Sequence, residues 1–260
     1  WDVKVTVDLF KNMDRGFTWN IMGSFNGNKN IVDKLSDGFK YTLSHNVTNM
    51  SSQEAVLKYR EGHSMNAIYG LRTVGVDPQT GNRLFLDKNG NVTFAQNAED
   101  MVYLGDSQPK VQGNISTNIA YKGFILTVGF GVRWGAKQFN ATLANKTENT
   151  HFINNLDRRV LTQSWQEPGD VVPYKKLDIN NTSSNTNVCD AFVQEDNVFQ
   201  CTNINLTYNF SDDICKKLRL KGLSLNANLS DIFYISSIKR ERGTSYPFSR
   251  NPNFSVSVSF

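Results

Sequence analysis

Apolar and polar residues alternate with a period of two along several stretches of this chain, the mark of strands that bury one face. The segment from Pro252 to Phe260 shows it without error: Phe254, Val256, Val258 and Phe260 share one face, and Ser255, Ser257 and Ser259 the other. Trp1 to Phe10 repeats the pattern, with Trp1, Val3, Val5, Val7 and Leu9 against Asp2, Lys4, Thr6 and Asp8. After a turn at Lys11 to Gly16, Phe17, Trp19, Ile21 and Phe25 alternate with Thr18, Asn20, Ser24 and Asn26, so a hairpin is predicted. A second hairpin is predicted from Val111 to Lys122 and Phe124 to Gly135. Its second strand sets Phe124, Leu126, Val128, Phe130, Val132 and Trp134 against Thr127, Gly129, Gly131, Arg133 and Gly135. From Val198 to Phe210, Ile204, Leu206, Tyr208 and Phe210 alternate with Asn203, Asn205, Thr207 and Asn209. In Leu218 to Leu229 the apolar parity changes, which predicts a bulge at Gly222. A weaker pair, Glu54 to Glu61 and Met65 to Val76 around Gly62 and His63, brings the expected number of strands to nine.

The connections alternate short and long. Those near 11–16, 62–64, 122–123 and 211–216 are brief, whereas 31–53, 77–110, 139–195 and 231–251 are extended. Short turns at one end and long loops at the other are the pattern of a bacterial transmembrane β-barrel. The aromatics agree: Phe10 and Phe17 flank one short turn, Tyr121 and Phe124 another, Tyr208 and Phe210 precede a third, and Phe260 ends the last strand, as a periplasmic girdle would. The expected fold class is therefore all-β, an antiparallel transmembrane barrel wall with long extracellular loops. On this reading Val3, Val5, Val7, Leu126, Val128, Phe130, Ile204 and Leu206 face lipid, while Thr127 and Arg133 face the lumen. The competing pattern is a soluble β-sandwich that binds carbohydrate or acts in adhesion. Such a sandwich gains little from a glycine-rich face, because glycine weakens a strand.

Composition narrows the picture without changing it. A mean hydropathy of −0.43 and 39% hydrophobic residues exclude helical membrane spans but not strands that hide their apolar half in alternation. The net charge of +4 is scattered, and its densest group, Lys239-Arg240-Glu241-Arg242, reads as a solvated loop rather than a nucleic-acid footprint. Cys189, Cys201 and Cys215 lack metal-ligand spacing, and their odd number excludes a complete disulfide framework; free thiols are expected, with a Cys189–Cys201 bridge as the alternative. Asp87, Asn89 and Asn91 resemble the start of a calcium loop but lack its glycine and distant glutamate. His45, His63 and His151 fall in expected loops or turns, and no nucleophile, metal or carboxylate constellation accompanies them, so no enzyme, metal or cofactor is expected. The chain begins at Trp1 with neither an initiator Met nor a leader, and an N-terminal portion is expected to be cut or missing.

Several segments together resemble the SusC/RagA-type TonB-dependent transporters of Bacteroidetes outer membranes. They are Gly75-Val76-Asp77-Pro78-Gln79-Thr80-Gly81 with Leu84-Phe85-Leu86-Asp87-Lys88-Asn89-Gly90, Gly105-Asp106-Ser107-Gln108-Pro109-Lys110 leading to Tyr121-Lys122-Gly123-Phe124, Trp165-Gln166-Glu167-Pro168-Gly169-Asp170, and Thr202 to Phe210. The resemblance implies the carboxy-terminal part of a plugged barrel of roughly twenty-two strands, with the plug and the TonB-contacting segment N-terminal to this chain. It also implies import of oligosaccharides or peptides with a SusD-like surface lipoprotein, energised by the TonB complex, with a siderophore receptor as the alternative. Candidate substrate contacts are Arg133 in the lumen and Trp165 and Tyr174 as loop aromatics that would stack on a sugar or peptide; Arg72 has no clear facing.

Overall fold

Strands form where the clearest alternation predicts them, and several run further than the pattern does. The computed structural model describes residues 1–12, 16–45, 59–150, 153, 155–177, 185–239 and 251–260. In chain order the strands are β1 (Asp2–Asn12), β2 (Phe17–Asn26), β3 (Ala67–Gly70), β4 (Arg72–Val76), β5 (Arg83–Leu86), β6 (Val92–Thr93), β7 (Val102–Asp106), β8 (Val111–Tyr121), β9 (Phe124–Phe139), β10 (Val193–Asn209), β11 (Gly222–Ser236) and β12 (Pro252–Ser259). Four short helices accompany them: α1 (Asp37–His45), α2 (Ala141–Thr147), α3 (Arg158–Gln163) and α4 (Asp212–Lys217). None is long and apolar enough to cross a membrane.

The chain divides into two compact units. The first comprises Trp1–Asn28, Pro109–Gly135 and Asp196–Phe260. Its strands belong to a seven-stranded sheet of order β1-β2-β8-β9-β10-β11-β12, with β1 and β12 at the two edges. Register carries the two-faced character from strand to strand. Ile21 lies opposite Val7 and Thr117, Thr117 opposite Val128, and Ile119 opposite Leu126. Leu206 lies opposite Ala227 and Leu225 opposite Val256. The intervening rows set Asn20 opposite Asp8 and Asn118, Asn118 opposite Thr127, and Asn205 opposite Asn228. Two irregularities adjust the faces. Between Asp8 and Phe10 the register slips, so that Phe10 sits opposite Trp19 and joins the apolar face. A second slip falls between Cys201 and Asn203, where Asp231 on the partner strand takes a φ of 53°.

The second unit comprises Lys29–Gln108 and Ala136–Glu195, two excursions far apart in sequence that share one core. Ala67, Tyr69, Leu71, Phe85 and Met101 from the first pack with Leu143, Ala144, Cys189 and Phe192 from the second. β3 pairs with β7, and β4, β5 and β6 form a small three-stranded sheet. The Leu71 N–H donates to Val188 O (2.9 Å) and the Asp190 N–H to Leu71 O (3.0 Å), which ties the two excursions together.

Several expectations change. Seven strands, not nine, form the sheet among the described residues. Residues 54–58 of the expected third strand lie outside the described residues, and Tyr59–Glu61 is not strand. Met65 to Val76 splits at Leu71 into β3 and β4, which belong to the small sheets. The bulge expected at Gly222 is absent, since Gly222 pairs regularly with Ser259. Leu218 and Leu220 follow α4 and precede the strand, so their parity never belonged to it. The expected turn at 211–216 holds α4, and the expected loop from 231 begins with the last turn-free stretch of β11. The segments expected as loops at 31–53, 77–110 and 139–195 carry helices, strands and a core. Single-sequence alternation misses them because their strands are only two to five residues long.

Candidate functional site

On the polar face of the seven-stranded sheet, amides and hydroxyls bond across the strands. Thr127 Oγ1 donates to Asn118 Oδ1 (2.7 Å), and Asn118 Nδ2 to Asn20 Oδ1 (3.1 Å). Asn226 Nδ2 donates to Asn205 Oδ1 (3.0 Å) and to Thr207 Oγ1 (2.9 Å). Gly129 leaves room for this layer: a Cβ there would run into Asn203 Oδ1 and stand 3.0 Å from Thr202 Oγ1. Arg133 is paired on this face with Asp196, whose side chain is 7% exposed against 42% for the arginine. Asn197 Oδ1 nearby accepts from the Gly135 N–H at 2.8 Å. Among the described residues this face offers neutral hydrogen-bonding groups on its central strands, the Arg133–Asp196 ion pair, and the charged Asp2, Lys4 and Asp8 on β1.

The opposite face is apolar and open. Val3, Val5, Val7, Phe124, Leu206, Leu225, Val256 and Val258 are all at least 42% exposed. Polar groups on it are internally matched: Trp19 Nε1 donates to Thr117 Oγ1 at 2.9 Å, so the lone threonine of that row serves the indole. Towards the short connections the rings gather. Phe10 stacks on Trp19 with ring centroids 6.1 Å apart, Phe17 meets Tyr121 edge-on at 6.2 Å, and Phe124 meets Tyr208 at 4.4 Å. Tyr208 in turn meets Phe210 at 4.8 Å. Phe254, Val256 and Val258 lie on β12, the edge strand, and Phe260 directly follows it.

In the second unit two of the motif segments, Gly75 to Gly81 and Trp165 to Asp170, interlock. Pro78 O, in the turn from Asp77 to Gly81, accepts from Trp165 Nε1 (2.8 Å) and from the Gly169 N–H (2.9 Å). The indole lies over Gly81, whose φ is 71° and where a Cβ would come within 2.5 Å of the ring. Each loop also ties up its own carboxylate. Thr80 Oγ1 (2.5 Å) and the Gln79 N–H (3.2 Å) hold Asp77 below the usual carboxylate range, and the Gln166 and Glu167 N–H groups do the same for Asp170. Asp87 is lowered chiefly by the Asn91 side chain (3.0 Å) and the Asn91 N–H (2.8 Å), so the calcium-like stretch is a self-bonded turn. Tyr174 lies beside Trp165, whose N–H donates to Tyr174 O (3.1 Å), and its ring stacks on Phe192 with centroids 6.4 Å apart. Trp165 and Tyr174 are thus brought together, each with a ring face against the protein; Arg133 belongs to the other unit.

Under these loops lies an ion pair that sequence reading missed. Arg83 Nε donates to Glu148 Oε1 (2.9 Å) and Oε2 (3.0 Å), its Nη2 bonds the same carboxylate and Pro173 O (2.6 Å), and both side chains are at most 4% exposed. The Lys175 N–H (3.1 Å) and Thr186 Oγ1 (2.7 Å) donate to Glu148 as well. Burial disfavours the charged guanidinium, but the bonds from Glu148 outweigh it and the Arg83 pKa is raised. No local signal marks such a pair, because its members stand 65 residues apart. Burial pushes the Cys189 thiol up to about 12, far from a thiolate at neutral pH. His63 lies against the Tyr69 and Tyr103 rings at 5.8 and 5.3 Å; His151 and the side chain of His45 lie outside the described residues. All three cysteines are free, which corrects the alternative of a Cys189–Cys201 bridge.

No family profile and no curated protein matches the chain. Among solved structures it matches the RagAB peptide importer in the "open-open" state with a TM-score of 0.71 and 16% identity, over 100% of this chain and 28% of that one. It matches the RagAB peptide transporter with a TM-score of 0.68 and 16% identity, over 91% and 25%. The "closed-closed" state of the importer gives 0.67 and 16%, over 91% and 26%. The chain has the fold of a RagA-like β-barrel segment. It spans about a quarter of the length of the solved chains it matches. The two-faced sheet is therefore a portion of barrel wall.

Proposed function

We propose that this chain is the wall and part of the extracellular surface of a TonB-dependent transporter in a bacterial outer membrane, working with a SusD-like surface lipoprotein to import peptides or oligosaccharides. The observation that carries it is the sheet itself, one face open and apolar and the other lined by bonded amides. An apolar surface of that extent has to meet lipid or another protein, and a barrel wall meets lipid. The amide-lined side suits a polar lumen, where Arg133 and Asp196 supply a charged handle for cargo. In the other unit, Trp165 and Tyr174 are separate loop candidates for contact with cargo. Peptide is favoured over oligosaccharide because the solved structures it resembles are named as peptide importers. TonB would act through a segment preceding this chain, and a siderophore receptor is the alternative within the same class.

The test is uptake by cells expressing the full-length protein. Labelled peptides should enter in a manner that needs the proton motive force, and deletion of the adjacent lipoprotein should lower capture. Uptake of iron chelates in place of either cargo would select the siderophore reading. Purified protein that stays monodisperse without detergent would overturn the class. An epitope placed at Gly169 should be reached by antibody on intact cells and one placed at Arg219 should not; the reverse would invert the topology.

A further inference from the structure

The short connections of the sheet fall at one end. Asn12 lies opposite Phe17, Phe17 opposite Tyr121, and Tyr121 opposite Phe124. The Asn209 N–H donates to Gly123 O at 2.8 Å, which brings the next connection to the same level. That end carries Lys122, Lys216, Lys217, Arg219 and Lys221, all exposed, against the carboxylates of Asp212 and Asp213 in the same connections. Among the described residues none of the five cations forms an ion pair.

Two of them occupy backbone positions that ordinarily go to other residues. Lys122 has a φ of 44° and Gly123 one of 87°, the two-residue turn for which Asn-Gly is the common choice. Arg219 has a φ of 58° directly after the C-cap Leu218, and the Leu220 N–H returns to Cys215 O (2.9 Å), so Arg219 stands where a helix usually ends on glycine. A side chain bearing a Cβ is strained in that region. Lys216 and Lys217 complement the dipole of α4, which accounts for them without a ligand. The dipole does not account for Lys122, and it gives no reason to prefer arginine to glycine at 219.

The neighbours of these cations point to what they meet. Lys122 Nζ stands 5.2 Å from the centre of the Tyr121 ring, which itself belongs to the aromatic band. Lys221 bonds Ser259 O through its N–H (2.8 Å), two residues before Leu223 of the apolar face. The two cationic connections are separated by two strands, about 10 Å. Positive charge thus runs just beyond an apolar surface bordered by rings, the order in which a bilayer presents hydrocarbon, interface and phosphate.

We infer that this rim binds the phosphodiester headgroups of anionic phospholipid, with Lys122, Lys216, Lys217, Arg219 and Lys221 as the phosphate contacts. The inference rests on the membrane-wall reading above and adds a lipid class to it. Long basic side chains lay their stems along the apolar border and keep their charge at headgroup depth, which is the posture this rim needs.

The experiment uses the full-length protein in neutral detergent, titrated with a short-chain phosphatidylglycerol and, separately, a short-chain phosphatidylethanolamine and inorganic phosphate. Melting temperature and lipid retention in native mass spectrometry are the readouts. Phosphatidylglycerol should stabilise the wild type more than either other probe. Each Lys or Arg near an anionic surface is worth roughly five-fold in binding, so the variant with all five changed to Gln should lose at least about ten-fold in affinity. Changing the four lysines to arginine should keep it, and Lys110→Gln should leave it unaltered. If the five-fold variant fails to fold, Lys122→Gln and the pair Lys216→Gln/Lys217→Gln each report a smaller loss. Equal affinity in wild type and variants overturns the inference, as does an equal response to inorganic phosphate. Retained lipid affinity with loss of an acidic protein partner would make the rim a protein-docking face and also overturn it. Monodispersity without detergent would instead sink the membrane-wall reading, so the two failures are distinguishable.

Discussion

The two units of this chain use apolar residues in opposite ways. Of the buried apolar residues among those described, only Val198, Cys201 and Cys215 belong to the sheet unit; Tyr69, Leu71, Phe85, Phe192 and the rest belong to the other. The sheet unit instead displays Val5, Phe124, Phe254 and Val256, each at least half exposed. Polar groups differ as well. The sheet unit bonds amides to amides across its strands and leaves the arginine of its Arg133–Asp196 pair partly exposed, whereas the second unit closes over both members of the pair Arg83–Glu148. A unit that folds in water must bury its apolar surface itself, and one that folds against lipid has no such need.

The sharpest break of this comparison comes from the buried pair. Glu148→Leu or Arg83→Met alone leaves an uncompensated charge in the interior and should destabilise the second unit by about 3–5 kcal/mol. The double substitution should recover most of that, measured by denaturation or by protease resistance. Single variants as stable as wild type would show that this unit does not depend on its interior polar network. In the sheet unit, Leu126→Arg should cost ~2 to 4 kcal/mol if that face meets the bilayer midplane, and Thr127→Arg much less. Equal tolerance of the two in a membrane-assembly assay would remove the distinction between its faces.

Smaller effects sharpen the picture within the second unit. Trp165→Phe keeps a ring over Gly81 but removes the donor to Pro78 O, and should cost about 1 kcal/mol. A larger loss would mean that the turn and the loop unlock together. Asp157 caps α3 through the Arg159 N–H (2.9 Å) and bonds its guanidinium, which holds its pKa down at about 2 against an ordinary 3.8. A carboxylate lowered on folding contributes stability that is complete above 3.8 and is lost as pH falls towards 2. Asp157→Ala should therefore cost about 1 kcal/mol at neutral pH and progressively less across that window. A cost that does not vary with pH would assign the cap's effect to packing.

The alternation of Val3, Val5 and Val7, of Leu126, Val128 and Phe130, and of Val256 and Val258 is a local consequence of the pleat, so the strands and their two faces were legible from the residues alone. The aromatic positions at the short connections were legible for the same reason. Which rings touch was decided in three dimensions. The slip after Asp8 carries Phe10 round to Trp19, and only the pairing of β1 with β2 reveals it. Trp165 was visible as a loop aromatic, but its partner Pro78 is 87 residues away, and Arg83 and Glu148 each look like ordinary surface charges in their own surroundings. Burial of a charge depends on chain segments brought together from far apart, and no window of neighbouring residues contains that information. Tertiary structure therefore decided that residues 29–108 and 136–195 are a single folded body with a core, while the two-residue period of the pleat had already shown which side is apolar wherever a wall strand alternates without a break.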